Sequence, residues 1–353
     1  MRITVALLAS ALMFAAAPVF ADVTELRADS QKQFKHNPSG IVIAASAAGI
    51  QRTKVEEFDD KQLDVAAEFR SPDDKEITTI YVFRRVTGDV PLWFDRIQNA
   101  IEARESFKSP TVAIPAAPFT PAGQSNARAL KVVYSAGGPP WKSSAAALTT
   151  TGEWYVAVRA SSQTLTPDQL LARLDETFGA IKWPKEKAPA ANAYVIGDCP
   201  DALPQGPDAE PAAADGSVIL MAALAANVGG SSKDAGEVKP PRWCRDPDKM
   251  TGAGIYRPDA AKDRFFVAFQ DSGRGIMVEP NELAGLLAGA KNNAPLTYTV
   301  EMVDIDRRIG FGSFKSLPSF AQAIWLTEHG NRAYSATTWG KNKNIDISSD
   351  AVK

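Results

Sequence analysis

The chain opens with a single positive charge, Arg2, then runs apolar from Ile3 to Val19, with no further charge before Asp22. A short basic start, an apolar core and small residues before a cut form the pattern of a cleavable secretory signal. Val19 and Ala21 supply the small residues, so cleavage is expected between Ala21 and Asp22. A membrane anchor is the rival reading, but spanning takes roughly 20 apolar residues, more than this run holds. No cysteine follows the run, which argues against a lipid anchor. The longest later apolar stretch, Val218 to Val228, is shorter still. The mature chain is therefore expected to be periplasmic or secreted, and not membrane-spanning once residues 1–21 are removed.

That placement constrains the rest of the fold, because disulfides form and persist outside the cytoplasm. The cysteines are Cys199 and Cys244. An even count in an oxidising compartment favours one bond between them. Closing a loop of about 45 residues stabilises a fold by roughly 3–4 kcal/mol in the chain-entropy model. A metal site would need further Cys or His nearby, and the sequence has none there. No metal, cofactor or catalytic residue is assigned.

The chain has 353 residues, and what remains after the signal is long enough for two domains, each with its own core. Apolar residues make up 45% and charged residues 23%, ordinary values for a folded globular protein. A net charge of −2, with no basic run, offers nothing to a phosphate backbone, so nucleic acid is not an expected partner.

Strand patterning dominates the first half. Leu63, Val65, Ala67 and Phe69 alternate with polar neighbours, and Ile77 to Val86 is rich in β-branched and aromatic residues. Asp89 can cap a helix that has Pro91 in its first turn and Trp93, Ile97 and Ile101 on one face. Ser109 to Ser125 holds four prolines and reads as a loop. Ala129 to Tyr134 reads as a strand, and Ala145 to Arg159 as a hairpin turning at Thr151-Gly152. Thr166-Pro167-Asp168-Gln169 is a reciprocal capping box opening a second helix that runs to Ile181. Lys185 to Ala193 turns charged and then Pro/Ala-rich, and reads as a boundary. Beyond it, Val218 to Val228 is expected to be a helix. Arg264 to Val278 and Leu296 to Phe314 read as two hairpins. Ala321 to Trp339 fits either a hairpin or a helix stopped at Gly330 and followed by a strand.

The expected fold class is α+β: an antiparallel sheet flanked by helices over 22–184, a linker at 185–194, and a β-rich second domain with one disulfide over 195–353. The Gly40–Ile43 strand start, the Ile77–Phe83 strand, the Trp154-Tyr155-Val156 strand and the helix Leu170–Ile181 give the first domain an element order that resembles the PsbP-like α/β/α sandwich. The resemblance covers less than half the chain and implies a non-catalytic binding or assembly role. It transfers no site residue.

Reaction chemistry is narrowed mainly by elimination. The two histidines, His36 and His329, both sit in sequences that read as exposed turns. Gly123 to Ala127 lacks the second glycine of a nucleophile elbow. Paired carboxylates remain, as in glycosidases: Glu56-Glu57, Asp59-Asp60, Asp246 with Asp248, and Asp304 with Asp306. Glu56 to Asp60 reads most simply as a solvated turn after a strand, and Asp304 with Asp306 as a hairpin turn. Trp325 and Trp339 are candidates for a stacking platform, against a simpler reading as packing residues. The expected function is that of an exported cell-envelope protein, a non-catalytic binding or accessory protein. It would meet an envelope protein or a small ligand where its two domains join. The alternative is a secreted hydrolase with a carboxylate-based site.

Overall fold

The computed structural model describes residues 23–185, 190–213, 216–227, 241–248, 250, 252–283 and 296–349. The expected signal, with Ala21 and Asp22, lies outside these residues, as does the middle of the expected linker, 186–189.

Twelve strands fall in the first half: β1 (Thr24–Glu25), β2 (Phe34–Lys35), β3 (Val42–Ile43), β4 (Ser46–Ala47), β5 (Ile50–Glu57), β6 (Asp64–Arg70), β7 (Glu76–Arg84), β8 (Thr111–Phe119), β9 (Ala129–Ser135), β10 (Ser143–Thr151), β11 (Trp154–Ser162) and β12 (Ile181–Lys182). Nine of them form one sheet, ordered β1-β5-β6-β7-β11-β10-β9-β8 with β4 beside β5, and all its pairs are antiparallel. The β10–β11 hairpin pairs Thr151 with Trp154, leaving a two-residue loop. Gly152 enters that loop at φ +56°, the left-handed conformation that the favoured hairpin turn requires.

Alternation along these strands sends side chains into two separate cores. Ala145, Ala147, Val156, Val158, Ile80 and Val82 pack with Leu170, Leu174 and Phe178 of helix α2 (Pro167–Gly179). Ala146, Leu148, Tyr155, Ala157 and Phe83 pack with Leu92, Trp93 and Ile97 of helix α1 (Val90–Glu102). Asp89 caps α1, accepting from the Leu92 amide at 3.3 Å. The capping box of α2 is complete: Thr166 Oγ1 accepts from the Gln169 amide at 3.4 Å, and Gln169 Oε1 from the Thr166 amide at 2.9 Å. Thr166→Ala is expected to lower the unfolding free energy by about 1 kcal/mol, read from a urea titration.

One expected loop is a strand. Residues 111–119 form β8 despite Pro115 and Pro118. This strand is the sheet's edge, and its pairing with β9 slips at two places. Proline is tolerated there because an edge strand need not donate on its outer side.

The second half is a meander. Strands β13 (Trp243–Arg245), β14 (Ala253–Pro258), β15 (Phe265–Phe269), β16 (Arg274–Pro280), β17 (Tyr298–Val303), β18 (Arg307–Phe314), β19 (Tyr334–Thr337) and β20 (Ile345–Ile347) pair in sequence order, each antiparallel to the next. Helix α3 (Ser217–Asn227) packs Val218, Ala222 and Ala225 against Tyr334 and Ala336. The ambiguous stretch 321–339 resolves as helix α4 (Phe320–His329) and then β19. Ser319 caps this helix, accepting from the Gln322 amide at 3.1 Å. The described residues thus make a β-rich α+β fold, mostly antiparallel sheet with four helices.

Cys199 and Cys244 are bonded, with an S–S distance of 2.00 Å. Nearby, Asp246 and Arg257 form an ion pair at 2.9 Å whose side chains are both fully buried. The two halves share a core: Trp243, Tyr256, Phe266 and Ala268 of the meander lie in the same apolar cluster as Trp93 and Phe94 of α1.

Candidate functional site

The cleft begins in the loop between β5 and β6. Asp59 organises it by accepting from the amides of Lys61 at 2.6 Å, Leu63 at 3.1 Å and Asp64 at 2.8 Å. An Asp followed by residues whose amides fold back onto it is a standard turn device. Gln62 adopts φ +56°, uncommon for a residue with a side chain. Its carbonyl accepts from His36 Nε2 at 2.7 Å.

His36 corrects a sequence expectation. Its ring is fully buried, not exposed, and packs edge-on to Trp154 at 4.8 Å. Since a carbonyl can only accept, Nε2 carries the proton, and Nδ1 accepts from Ser39 Oγ at 2.7 Å. Burial lowers the pKa of this imidazole. With both nitrogens engaged, His36 is a brace under the cleft loop.

The opposite wall is the β17–β18 turn. Asp304 accepts from the Ile305 amide at 2.7 Å, as its hairpin-turn reading expected. Across the gap, Lys61 Nζ reaches Asp306 at 2.7 Å, and Arg307 Nε reaches the same carboxylate at 2.8 Å. Arg274, at the start of β16, holds Asp304 at 2.8 Å and Asp64 of β6 at 3.4 Å, joining both sheets through one guanidinium. Nearby, buried Arg84 donates to the Ile305 carbonyl at 2.7 Å and to Thr338 Oγ1 at 2.7 Å, with its guanidinium over the Trp339 ring. The cleft is open on one side, with a volume of about 490 Å³, and is lined by residues of both halves, including Thr24, Glu57 to Lys61, Leu63, Arg274 and Asp304 to Arg307.

Electrostatics differ sharply within this small region. Burial works against the Asp306 carboxylate, but hydrogen bonds from Arg307 and Lys61 outweigh it and hold its pKa at about 2. Desolvation raises Asp64 to about 6, and Arg274 only partly offsets this. A raised carboxylate pKa means that ionised Asp64 costs stability above about pH 6, a cost relieved as pH falls towards 3.8. Asp306 has the opposite sign: its contribution is present above 3.8 and is lost as pH falls through about 2. Asp64→Asn is therefore expected to gain stability relative to the parent by about 2 kcal/mol between pH 4 and pH 7.5, allowing for partial solvent screening. Parallel denaturant titrations at the two pH values measure this. A constant difference would contradict the assignment.

Other candidates from the sequence are dispersed. Glu56 pairs with Lys54 at 2.7 Å, while Glu57 lines the cleft. Asp246 is committed to Arg257, and Asp248 is exposed. His329 stacks on exposed Trp325 at 5.4 Å, whereas Trp339 packs edge-on to Trp154 at 5.8 Å. The two tryptophans therefore do not form one platform. Among the described residues, no three His, Cys, Asp or Glu side chains converge as a metal site would need. Lys61, Asp64, Arg84 and Arg274 escaped sequence reasoning, because isolated charges within strands and turns carry no motif.

This arrangement can hold a charged ligand between fixed ion pairs. Asp59, Asp304 and Asp306 already accept hydrogen bonds that position the walls. Comparison of the chain with protein-family models, with curated proteins and with solved structures finds no match.

Proposed function

We propose that this chain is an exported cell-envelope protein, periplasmic or secreted, that binds a ligand or partner in the cleft between its halves without transforming it. The observation that carries this reading is the cleft itself: two separate sheets contribute its walls, and ion pairs across the gap set their spacing. The leader and the disulfide support export. The packing of α1 and α2 with opposite sets of strand residues supports a helix-flanked sheet over 22–184, and the eight-stranded meander with its own apolar cluster supports a β-rich second part over 195–353. It also fits the PsbP-like resemblance and the accessory role that this implies.

The test combines placement and contact. Mass spectrometry of the mature protein is expected to find Asp22 as the first residue. A photo-crosslinker at position 60 is expected to capture a ligand or partner that the same probe on exposed Asp168 does not. Retention of Met1-Arg2 in a cytosolic pool, or identical products from both positions, would reject the reading. A carboxylate-based hydrolase is the second reading, favoured by one observation: Asp306 lines the cleft, Asp64 lies behind it on the lining residue Arg274, and their pKa values are driven apart, to about 2 and about 6. Turnover of envelope glycans or peptides, abolished by Asp64→Asn, would establish it over the first.

A further inference from the structure

The far end of the meander is an open, apolar edge. β20 closes the sheet order and has a strand on one side alone among the described residues. The Thr337 amide donates to the Asn344 carbonyl, and the Ser348 amide to the Ala333 carbonyl, each at 2.9 Å. Antiparallel bonding alternates, so Asn344, Asp346 and Ser348 turn their backbone groups inward, while Ile345 and Ile347 turn theirs to the open edge. Ile345 lies opposite Ala336 and Ile347 opposite Tyr334, and those two pack under α3. Both isoleucines therefore share the α3 face of the sheet. There they adjoin a helix with no charge between Ser217 and Asn227, whose Ile219, Leu220 and Leu224 are exposed. A helix that is apolar all round calls for cover on its outer side. The five side chains are 36% to 52% exposed and leave on the order of 400 Å² of apolar surface, enough to mark an interaction site.

Natural sheets protect their edges, and the other ends of the two large sheets do so here. β8 carries Pro115 and Pro118 and slips twice against β9. β1 is two residues long and carries Glu25. The outer side of β13 is taken by residues 197–199: the Gly197 carbonyl accepts from the Arg245 amide at 2.9 Å, and the Cys199 amide donates to the Arg245 carbonyl at 2.7 Å. At β20, Lys343 could guard the edge, but its ammonium is turned onto α3 and donates to the Ala226 carbonyl. We infer that β20 pairs antiparallel with β20 of a second copy of this chain, about a twofold axis normal to the sheet, with Ile345 opposite Ile345. The unpaired backbone groups of the edge require an extended strand, which a lipid surface does not supply. β20 itself supplies it, with isoleucines at alternate positions. Charge sets the register. Ile345 opposite Ile347 of the second copy would put Asp346 against Asp346, and like charges directly opposite are unfavourable. Ile345 opposite Ile345 puts Asp346 against Asn344, whose side-chain amide can donate to it. The axis keeps both α3 helices on one face, so Ile219, Leu220 and Leu224 of both copies flank the four isoleucines. Apolar surface from two copies, about 800 Å² before backbone and rim are added, approaches the roughly 1,000 Å² that a specific interface needs.

The test is sedimentation equilibrium of the full mature protein over a concentration series. The parent is expected to be a dimer that dissociates on dilution through the micromolar range. Ile345→Lys is expected to raise the dimer dissociation constant at least roughly tenfold, because the twofold brings both ammonium groups into one apolar seam. Ile345 is exposed within a single copy, so this variant should melt with the parent at a dilution where both are monomeric. That comparison separates lost association from lost fold. Ile345→Cys is expected to form a disulfide between copies on mild oxidation, since residues of a hydrogen-bonded pair have Cα atoms about 5.5 Å apart. Asp346→Cys, which would face Asn344, is not. A parent that stays monomeric at about 100 µM overturns the inference, and does so equally if it then sediments with lipid vesicles or takes up an added extended peptide. A dimer untouched by Ile345→Lys overturns this seam, as does crosslinking that is as ready from Asp346→Cys as from Ile345→Cys. The binding reading of the cleft is tested by the position-60 crosslink and is independent of each result.

Discussion

Asp246→Ala is expected to lower the unfolding free energy by about 3–5 kcal/mol, because it strands a buried guanidinium. Asp246 and Arg257 are both fully buried and lie 2.9 Å apart. Asp246 Oδ2 also accepts from the Leu203 amide at 3.0 Å, and Oδ1 from the Asp248 amide at 3.1 Å. Arg257 donates to the Ala261 carbonyl at 3.1 Å and to the carbonyl of Asp201. One carboxylate thus ties the 201–203 segment to β14 and neutralises the charge it buries. Removing it leaves Arg257 with neutral hydrogen-bond acceptors and only the half-exposed Asp201 carboxylate at 4.0 Å, and leaves the Leu203 amide without its carboxylate acceptor; each loss carries a desolvation cost. The measurement is a urea titration, with the slope checked so that a midpoint change reports stability alone. Asp246→Ala/Arg257→Met should recover much of the loss, since replacing both partners of a buried pair is often near neutral. A single variant within 1 kcal/mol of the parent would show that water reaches this pair.

How much of this was legible depends on what each residue must do locally. The capping box at Thr166, the cap at Asp89 and the turn at Gly152 were readable because backbone geometry dictates the residue type. Strand β5 was not. It buries Arg52, and its pairing with β6 shifts between Arg52 and Lys54, so Ile50–Glu57 shows no period-two pattern. Strand β8 was hidden by its prolines, which only an edge position makes permissible. His36 does lie next to a turn, but its side chain points inward, and nothing in Lys35-His36-Asn37-Pro38 reveals that direction. The cleft shows the same limit at longer range. Asp59-Asp60 and Asp304 with Asp306 were visible as acidic pairs, yet the Lys61–Asp306 contact spans a sequence separation of 245. Pairing between two meandering sheets is set by the whole fold, so no local window contains it.

The disulfide is where local legibility and long-range consequence meet. Cys199→Ser/Cys244→Ser is expected to lower the unfolding free energy by about 4 kcal/mol, the chain-entropy value for a closed loop with a sequence separation of 45. The bond also has a structural reach that the entropy model omits. Around it, the Arg245 amide donates to the Gly197 carbonyl at 2.9 Å, and the Cys199 amide to the Arg245 carbonyl at 2.7 Å. This short ladder sets the position of Arg245, whose guanidinium meets Asp198 at 2.8 Å and forms an ion pair with Asp95 of α1. Asp95 is buried and also accepts from Tyr256 Oη at 2.6 Å. Losing the covalent tie should therefore loosen the contact between α1 and the meander as well as the loop. The same reductant concentration should lower the parent's thermal midpoint and leave the double variant unmoved. Hydrogen exchange should rise at Trp243–Arg245 before it rises in β9 to β11, because the tie holds the first region directly and the second not at all. A parent with two reagent-accessible thiols, or a midpoint indifferent to reduction, would refute the bond and remove one support of the proposed export.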